Sequence, residues 1–159
     1  MQLKLTSELV PEPCSYKNMR SEFPRSVWDK IRKKQYESQE YRCGICKCEA
    51  RGKLDCHEIW EFDDVERIQR LQGFIALCKL CHAVKHFGRI AVLDEEVRHQ
   101  VEEHFMRVNE CDLETFKTHG NQAMAQWVER STHEWRFDLG EYQTLVLEND
   151  TRSLNLFDA

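Results

Sequence analysis

The amino-acid sequence predicts a small α+β fold with added helices in its C-terminal part. Three observations support this prediction: two Cys-x-x-Cys pairs, two short apolar stretches of strand character between them, and apolar residues at helical spacing beyond residue 90. The chain has 159 residues, of which 41% are hydrophobic and 32% are charged. This length and composition suit one compact core better than two independent domains or a disordered chain.

The N-terminal part of the chain begins without a regular element. Residues 1–25 are predicted to form an irregular lead-in, because they contain the three prolines of the chain and show little apolar periodicity. The first ten residues include no long apolar stretch, so we expect neither a signal peptide nor a membrane span, and a cytoplasmic location. The next predicted element is a helix that is capped by Ser26, anchored by Trp28 and continued to about Glu40.

The two Cys-x-x-Cys pairs are the strongest chemical signal in the sequence. They consist of Cys43, Cys46, Cys78 and Cys81. Gly44 lets the first turn curl tightly, and four thiolates satisfy tetrahedral zinc without leaving an open position, which is typical of a structural site. A reducing compartment keeps such thiols available to metal. Cys48 and Cys56 are alternative ligands, whereas Cys14 and Cys111 are expected to be unligated thiols.

Two strands and a helix are predicted around the second cysteine pair. The strands cover about residues 53–60 and 71–77, and the acidic stretch 61–66 between them is expected to be an exposed loop. From Lys79 the spacing of the apolar residues becomes helical, and Gly88 is placed to end this helix.

Residues 91–159 are predicted to form a helical accessory subdomain. One amphipathic helix is capped by Asp94, and its apolar face carries Val97, Val101, Phe105 and Val108. A second is capped by Asp112, and its apolar face carries Phe116, Ala123, Trp127 and Val128. Stretches 134–139 and 144–147 are predicted to pair as a short β hairpin. The subdomain is expected either to cap the core or to offer a surface to a second copy of the chain or to another protein.

Three histidines form a second candidate metal site. His82 and His86 are four residues apart on the predicted helix, so they share one face and can bind one ion together. A strand packed across that face can bring His57 as a third imidazole. The alternative is that the two helical histidines are only exposed polar residues, but their position directly after a zinc cysteine favours a site.

The segment Leu77-Cys78-x-x-Cys81-His82-x-x-Lys85-His86 follows a histidine-containing strand and a Cys-x-x-Cys pair. In this order the motifs resemble the zinc-finger-bearing branch of the HNH endonuclease superfamily, and the resemblance covers about residues 26–90. It implies a treble-clef or ββα-metal core that structural zinc ties together. It also implies that one divalent ion, Mg, Mn, Ni or Zn, grips the scissile phosphate of DNA.

The resemblance assigns roles to individual residues. His57, His82 and His86 match the metal ligands, and Glu58 occupies the position of the general base, where the family has histidine. The expected catalytic residues are therefore His57, Glu58 and His82. An alternative register places Cys56 at the ligand position and His57 at the base, and leaves His82 and His86 to hold the ion.

Two departures from the family pattern bear on activity. Glu58 can take a proton from water only if its pKa is raised or if the metal already acidifies the water, whereas histidine needs no such tuning. The middle asparagine of the family motif is absent, and the chain offers Gln69, Gln72 or Gly73 at that place. The departures leave open whether the chemistry is altered or lost.

Three functional hypotheses follow from these motifs. The first is a metal-dependent HNH-type endonuclease that hydrolyses DNA phosphodiester bonds. The second is a catalytically degenerate zinc-binding module that recognises nucleic acid or a protein partner. The third is a purely structural zinc scaffold whose histidines are surface residues.

The charge of the chain is unevenly distributed. The formal net charge is -5, which is unusual for a nucleic-acid binder, but residues 1–55 carry twelve Lys and Arg against eight Asp and Glu, and the remainder carries eleven against twenty. The predicted nucleic-acid contacts are Lys30, Arg32, Lys33, Lys34, Lys85 and Arg89. A solvated basic face is the alternative interpretation of these cations.

Overall fold

The fold, taken from a computed structural model that describes residues 2–14 and 18–146, is a mixed α+β arrangement, as the sequence predicts. Its helices are α1 (Met19–Glu22), α2 (Arg25–Ser38), α3 (Lys79–Lys85), α4 (Glu95–Asn109) and α5 (Leu113–Arg130). Its strands are β1 (Asp55–Asp63), β2 (Ile68–Leu77) and β3 (Arg136–Asp138), in the sheet order β1-β2-β3. No helix of the described part is both long and apolar enough to cross a membrane.

The β1-β2 hairpin is antiparallel and longer than predicted. The predicted exposed loop is confirmed for Asp64 and Glu66, which lie in the turn, and wrong for Glu61 and Asp63, which lie in β1. The reason is charge compensation across the hairpin, since Arg70 on β2 lies 3.5 Å from Glu61 and 3.3 Å from Asp63. The turn itself is short, and Asp63 stabilises it by accepting the backbone N–H of Val65 and of Glu66.

The predicted C-terminal β hairpin is also wrong. Residues 136–138 form β3, but this strand pairs in parallel with β2, and residues 143–146 are helical. Tyr142, Leu145 and Val146 recur at helical spacing and pack against the apolar cluster between α2 and the sheet, which a strand of alternating side chains would not achieve. Leu147, the last residue of the predicted hairpin, lies outside the described residues.

The boundaries of the other helices are mostly close to the predicted ones. Asp94 and Asp112 cap α4 and α5, each accepting the backbone N–H three residues ahead, as predicted. The first long helix starts one residue before Ser26, with Pro24 at the cap position, so Ser26 is not its cap. Gly88 does not end α3, because the helix stops at His86 and a 3-10 helix (Phe87–Val92) continues the chain.

Two apolar clusters hold the elements together. One lies between α1, α2 and the sheet and is centred on Met19, Phe23, Trp28, Leu71, Phe74 and Leu139. The other joins the Cys-x-x-Cys turns to α3, α4 and α5, and in it Val101, Phe105 and Phe116 pack with Cys81 and Val84. The helices beyond residue 90 therefore complete the same core that the cysteines belong to.

An N-terminal strap, residues 2–14, lies across this second cluster. The buried side chain of Asn109 accepts the backbone N–H groups of Lys4 and Leu5 and donates to the Leu5 carbonyl. Farther along, Ser7 hydroxyl donates to the Val84 carbonyl. The strap thus has little regular structure, as predicted for the lead-in, but it is firmly hydrogen-bonded to α3 and α4. The prediction is wrong for the end of the lead-in, where α1 (Met19–Glu22) forms.

The strap can be tested through its anchor. We expect Asn109→Ala to lower the free energy of unfolding by about 2–3 kcal/mol, because it leaves buried backbone groups of Leu5 without partners. Urea unfolding of both proteins measures the difference, with Asn121→Ala, an exposed asparagine on α5, as the matched control. Equal stability of Asn109→Ala and the wild type would mean that the strap contributes nothing to the fold.

Candidate metal centres

The four cysteines of the two Cys-x-x-Cys turns lie close together. Their sulfur atoms are all within 4.8 Å of one another, with Cys43 and Cys81 almost fully buried and Cys46 partly buried. The cluster is thus sized to hold one zinc ion. The other cysteines, Cys14, Cys48, Cys56 and Cys111, lie outside this group, and none of the eight forms a disulfide.

The first cysteine turn is held against β2 by glycine. The backbone N–H of Gly44 donates to the Ala76 carbonyl at 2.9 Å, and a side-chain carbon at this position would lie 2.5 Å from Ile75. Only glycine therefore allows the turn to approach the strand this closely. Because Ala76 lies only two residues before Cys78, this contact brings the two turns together.

The thiols of the cluster influence one another's ionisation. Hydrogen bonds from Cys78 and Cys81 hold the pKa of Cys43 far below its usual range, and the same interaction with Cys43 raises the pKa of Cys81. Without a bound cation, the cluster therefore favours a single thiolate that accepts hydrogen bonds from the neighbouring thiols. A cation at the centre is what allows four thiolates to coexist.

The three histidines form a second cluster between β1 and α3. His57 on β1 is buried, and its ring centroid lies 5.4 Å from those of His82 on α3 and of His86, the residue that caps the end of α3. The Nε2 atoms of His82 and His86 are 3.0 Å apart, and one nitrogen from each of the three rings falls within 4.8 Å of the others. Three imidazole nitrogens so placed can hold one divalent ion and leave further positions open.

An aspartate that the sequence analysis missed orients this cluster. Asp55 Oδ2 lies 3.0 Å from His82 Nδ1, and Asp55 Oδ1 accepts a hydrogen bond from Lys79 at 2.6 Å. When Nδ1 of His82 donates to the carboxylate, its Nε2 lone pair is directed into the cluster. The signal was available in the sequence, since Asp55 precedes His57 by two positions and shares its face of the strand.

Burial keeps His57 and His86 neutral. Removal from water, helped by the neighbouring imidazoles, lowers the pKa of His57 to about 3 and that of His86 to about 4. Both rings are therefore uncharged at neutral pH, which is the state in which imidazole binds metal.

Glu58 and Cys56 lie on the other face of β1. Glu58 accepts the backbone N–H of Met19 at 2.6 Å, and burial raises the pKa of its carboxyl group. Cys56 does not belong to the histidine cluster. The structure therefore brings together the three histidines and not the alternative set that includes Cys56. Both residues nevertheless line the same cleft as His82 and His86.

The candidates for the middle position of the motif lie elsewhere on the hairpin. Gln69 is fully buried opposite Phe62, and Gln72 is exposed and donates to Glu61 at 3.0 Å. Gly73 lies at the irregularity in the hairpin with φ +151. Among the described residues no hydrogen bond joins any of these three to the histidine cluster.

A cleft of about 1190 Å³ opens beside the histidines and is bordered by arginines. These are Arg20, Arg25, Arg32 and Arg89. Arg32 is paired with Asp29 at 2.8 Å, whereas Arg20, Arg25 and Arg89 are exposed and form no ion pair with another described residue. Two of the six predicted contacts, Arg32 and Arg89, thus border the cleft, and Arg20 and Arg25 were missed.

The remaining predicted nucleic-acid contacts lie away from the cleft lining. The exposed lysines 30, 33 and 34 project from α2 into solvent. The prediction for Lys85 is wrong, because this residue is only 7% exposed and its ammonium group is paired with Glu8 of the N-terminal strap at 3.0 Å. The strap covers the face of α3 on which Lys85 lies, which the local sequence does not reveal.

Comparison of the chain with protein-family models, with curated proteins and with solved structures gives no match.

The buried histidines predict a pH dependence of stability. Because the pKa of His57 falls from 6.5 to about 3 on folding, the unfolded chain binds more protons between these values. The free energy of unfolding should therefore decline as the pH falls below about 6.5, by up to about 1.4 kcal/mol per pH unit for this group. Urea titrations from about pH 7 to pH 4.5 without added divalent ions measure it.

In the same titration His57→Asn should flatten the decline, while the exposed His99→Asn on α4 should leave it unchanged. A wild-type slope retained in His57→Asn would refute the assignment of this pH dependence to His57.

Proposed function

We propose that the protein is a metal-dependent nuclease of the HNH type that hydrolyses phosphodiester bonds of DNA. The observation that carries the proposal is the convergence of one nitrogen each from His57, His82 and His86 within 4.8 Å, beside a cleft bordered by arginines. The order of the motifs along the chain, two cysteine pairs enclosing a histidine strand and a Cys-His-x-x-x-His helix, supports it.

In this proposal the four-cysteine cluster holds structural zinc. Thiolate ligands with no open coordination position serve to hold a fold together and take no part in the reaction. The zinc fixes the N-terminus of α3, and with it the direction in which the two helical histidines point. A cytoplasmic location belongs to the proposal, because a reducing compartment keeps eight unpaired thiols available.

The histidine cluster holds the second ion, which is Mg, Mn, Ni or Zn. His57, His82 and His86 bind it through neutral nitrogens, and Asp55 keeps His82 in the tautomer required. A divalent ion at this place stabilises the negative charge of the phosphate undergoing attack and of the leaving oxygen. Arg20, Arg25 and Arg89 border the same cleft and can neutralise the phosphates on either side.

Glu58 is the candidate general base of the proposed reaction. It lines the cleft, and its raised pKa brings the carboxylate closer to the range in which it can accept a proton from water at neutral pH. Although it projects from the face of β1 opposite His57, it shares the cleft with His82 and His86.

The nuclease proposal predicts metal-dependent cleavage. We expect supercoiled plasmid or single-stranded DNA to be cut when one of the four divalent ions is added, and His82→Ala to reduce the rate by at least about 100-fold, because it removes a ligand. Asp55→Asn should weaken binding of that ion about 10–100-fold while keeping the ligands. Gel assays at a series of ion concentrations separate the two effects.

The matched control is His99→Ala, which removes an exposed histidine of α4. Cleavage that persists in His82→Ala at wild-type rate would refute the assignment of the ion to this cluster.

Zinc at the cysteine cluster is tested separately. We expect the purified protein to contain one tightly bound zinc, Cys46→Ser to lose it, and a chelator to lower the thermal midpoint of unfolding, because binding free energy at a structural zinc site is folding free energy. Elemental analysis and calorimetry measure both quantities. Cys111→Ser, which removes a thiol outside the cluster, should keep the metal; loss of zinc in this control but not in Cys46→Ser would refute the assignment.

One observation favours a second function, a catalytically degenerate zinc module that binds nucleic acid or protein. Glu58 stands where the family has histidine, and its carboxylate already accepts the Met19 backbone N–H. The absence of cleavage with every ion, in protein that retains zinc and binds DNA through the arginine cleft, would support this function. Arg25→Ala, which changes an exposed cation of the cleft, should then weaken DNA binding while His82→Ala should not.

A further inference from the structure

A buried histidine of α4 contacts the four-cysteine cluster. His104 is 4% exposed, and its Nε2 atom lies 3.1 Å from Sγ of Cys81, which is itself fully buried. On the other side of the ring, Nδ1 lies 2.9 Å from Nη2 of Arg107, one turn farther along the helix. Neither residue belongs to the cysteine cluster or to the histidine cluster.

The contact with Arg107 determines which nitrogen of His104 carries the proton. A guanidinium group has only donors, so Nδ1 of His104 must accept and carries no hydrogen. The proton of the neutral ring is therefore on Nε2, which faces the sulfur of Cys81. A zinc-bound thiolate has no proton to give, and the contact is consequently an N–H···S hydrogen bond from His104 to Cys81.

We infer that His104 is a positioning residue of the zinc site, with Arg107 fixing its tautomer. The inference rests on the proposal that the cysteines bind zinc, and it is independent of nuclease activity. Four thiolates around Zn²⁺ carry a net charge of about -2, from the charges of the ligands and ion. Cys81 is closed off from water, so a protein donor must supply the hydrogen bond that solvent gives to an exposed sulfur.

The same contact couples α4 to the zinc site. His104 lies next to Phe105 in the buried face of α4, and this face packs on α3. Zinc binding therefore strengthens a hydrogen bond that α4 makes, and the docking of α4 in turn strengthens the retention of zinc. The helices beyond residue 90 thus contribute to the site as well as to the core.

The test compares two substitutions of similar size that differ in one donor. His104→Leu fills the space without an N–H, whereas the side-chain amide of His104→Gln can donate from about the position of Nε2. We expect His104→Leu to bind zinc about 10–100-fold more weakly than the wild type in competition with a chelator, and His104→Gln to stay within a few-fold of it. In the cobalt-substituted protein, the sulfur-to-metal charge-transfer band should shift in the leucine variant alone.

Two further variants make the test independent of folding defects in His104→Leu. Arg107→Met removes an exposed guanidinium group. It should also speed the release of zinc, but less than His104→Leu does. His99→Leu, on the exposed face of the same helix, should change nothing.

Three results would overturn the inference. Zinc affinity and cobalt spectrum of His104→Leu equal to those of the wild type would reduce the contact to packing. If His104→Leu does not fold, the other two variants decide. The contact would again be reduced to packing if Arg107→Met releases zinc at the wild-type rate and His104→Gln binds zinc weakly. Wild-type protein that carries no zinc would refute the zinc proposal itself, and the inference with it.

Discussion

The arrangement of this protein depends on the meeting of four cysteine sulfurs at one point. Two of them come from a turn that precedes the β1-β2 hairpin and two from the start of α3. Because the four sulfurs lie within 4.8 Å of one another, the segment before the hairpin is held next to the helix that follows it. This link fixes α3 against β1, and this is what places His82 and His86 opposite His57. The geometry of the histidine cluster is therefore a consequence of the cysteine cluster rather than an independent feature.

The local patterns in the sequence predicted the parts of the fold that are locally determined. The cysteine turns, the two strands and the capped helices α4 and α5 were all visible as spacing or capping signals. What the sequence did not reveal depends on contacts between distant segments. The burial of Lys85 under the strap, the parallel docking of β3 and the placement of Arg20 at the cleft each require knowledge of what packs against them.

The acidic net charge of the chain is compatible with an arginine-bordered cleft because the charges are unevenly placed in the fold. Some of the acidic residues are paired locally and lie outside the cleft lining, as Asp64 does with Arg130 at 2.8 Å and Asp63 with Arg70. The cleft lining carries four arginines and four carboxylates, those of Glu8, Asp29, Asp55 and Glu58, so the cleft is less acidic than the chain as a whole. Net charge is consequently a poor guide to the surface that a chain of this size offers to a polyanion.

The N-terminal strap has a consequence for the order in which the molecule assembles. Leu5 is hydrogen-bonded to Asn109, Ser7 to His119 and Val10 to Trp127, so its partners are made more than a hundred residues later. During synthesis the strap precedes α4 and α5, so these contacts can form only after both helices have been made. Docking of the strap closes loops of more than a hundred residues, which is slow for entropic reasons, so we expect the strap to reach its native place late in folding.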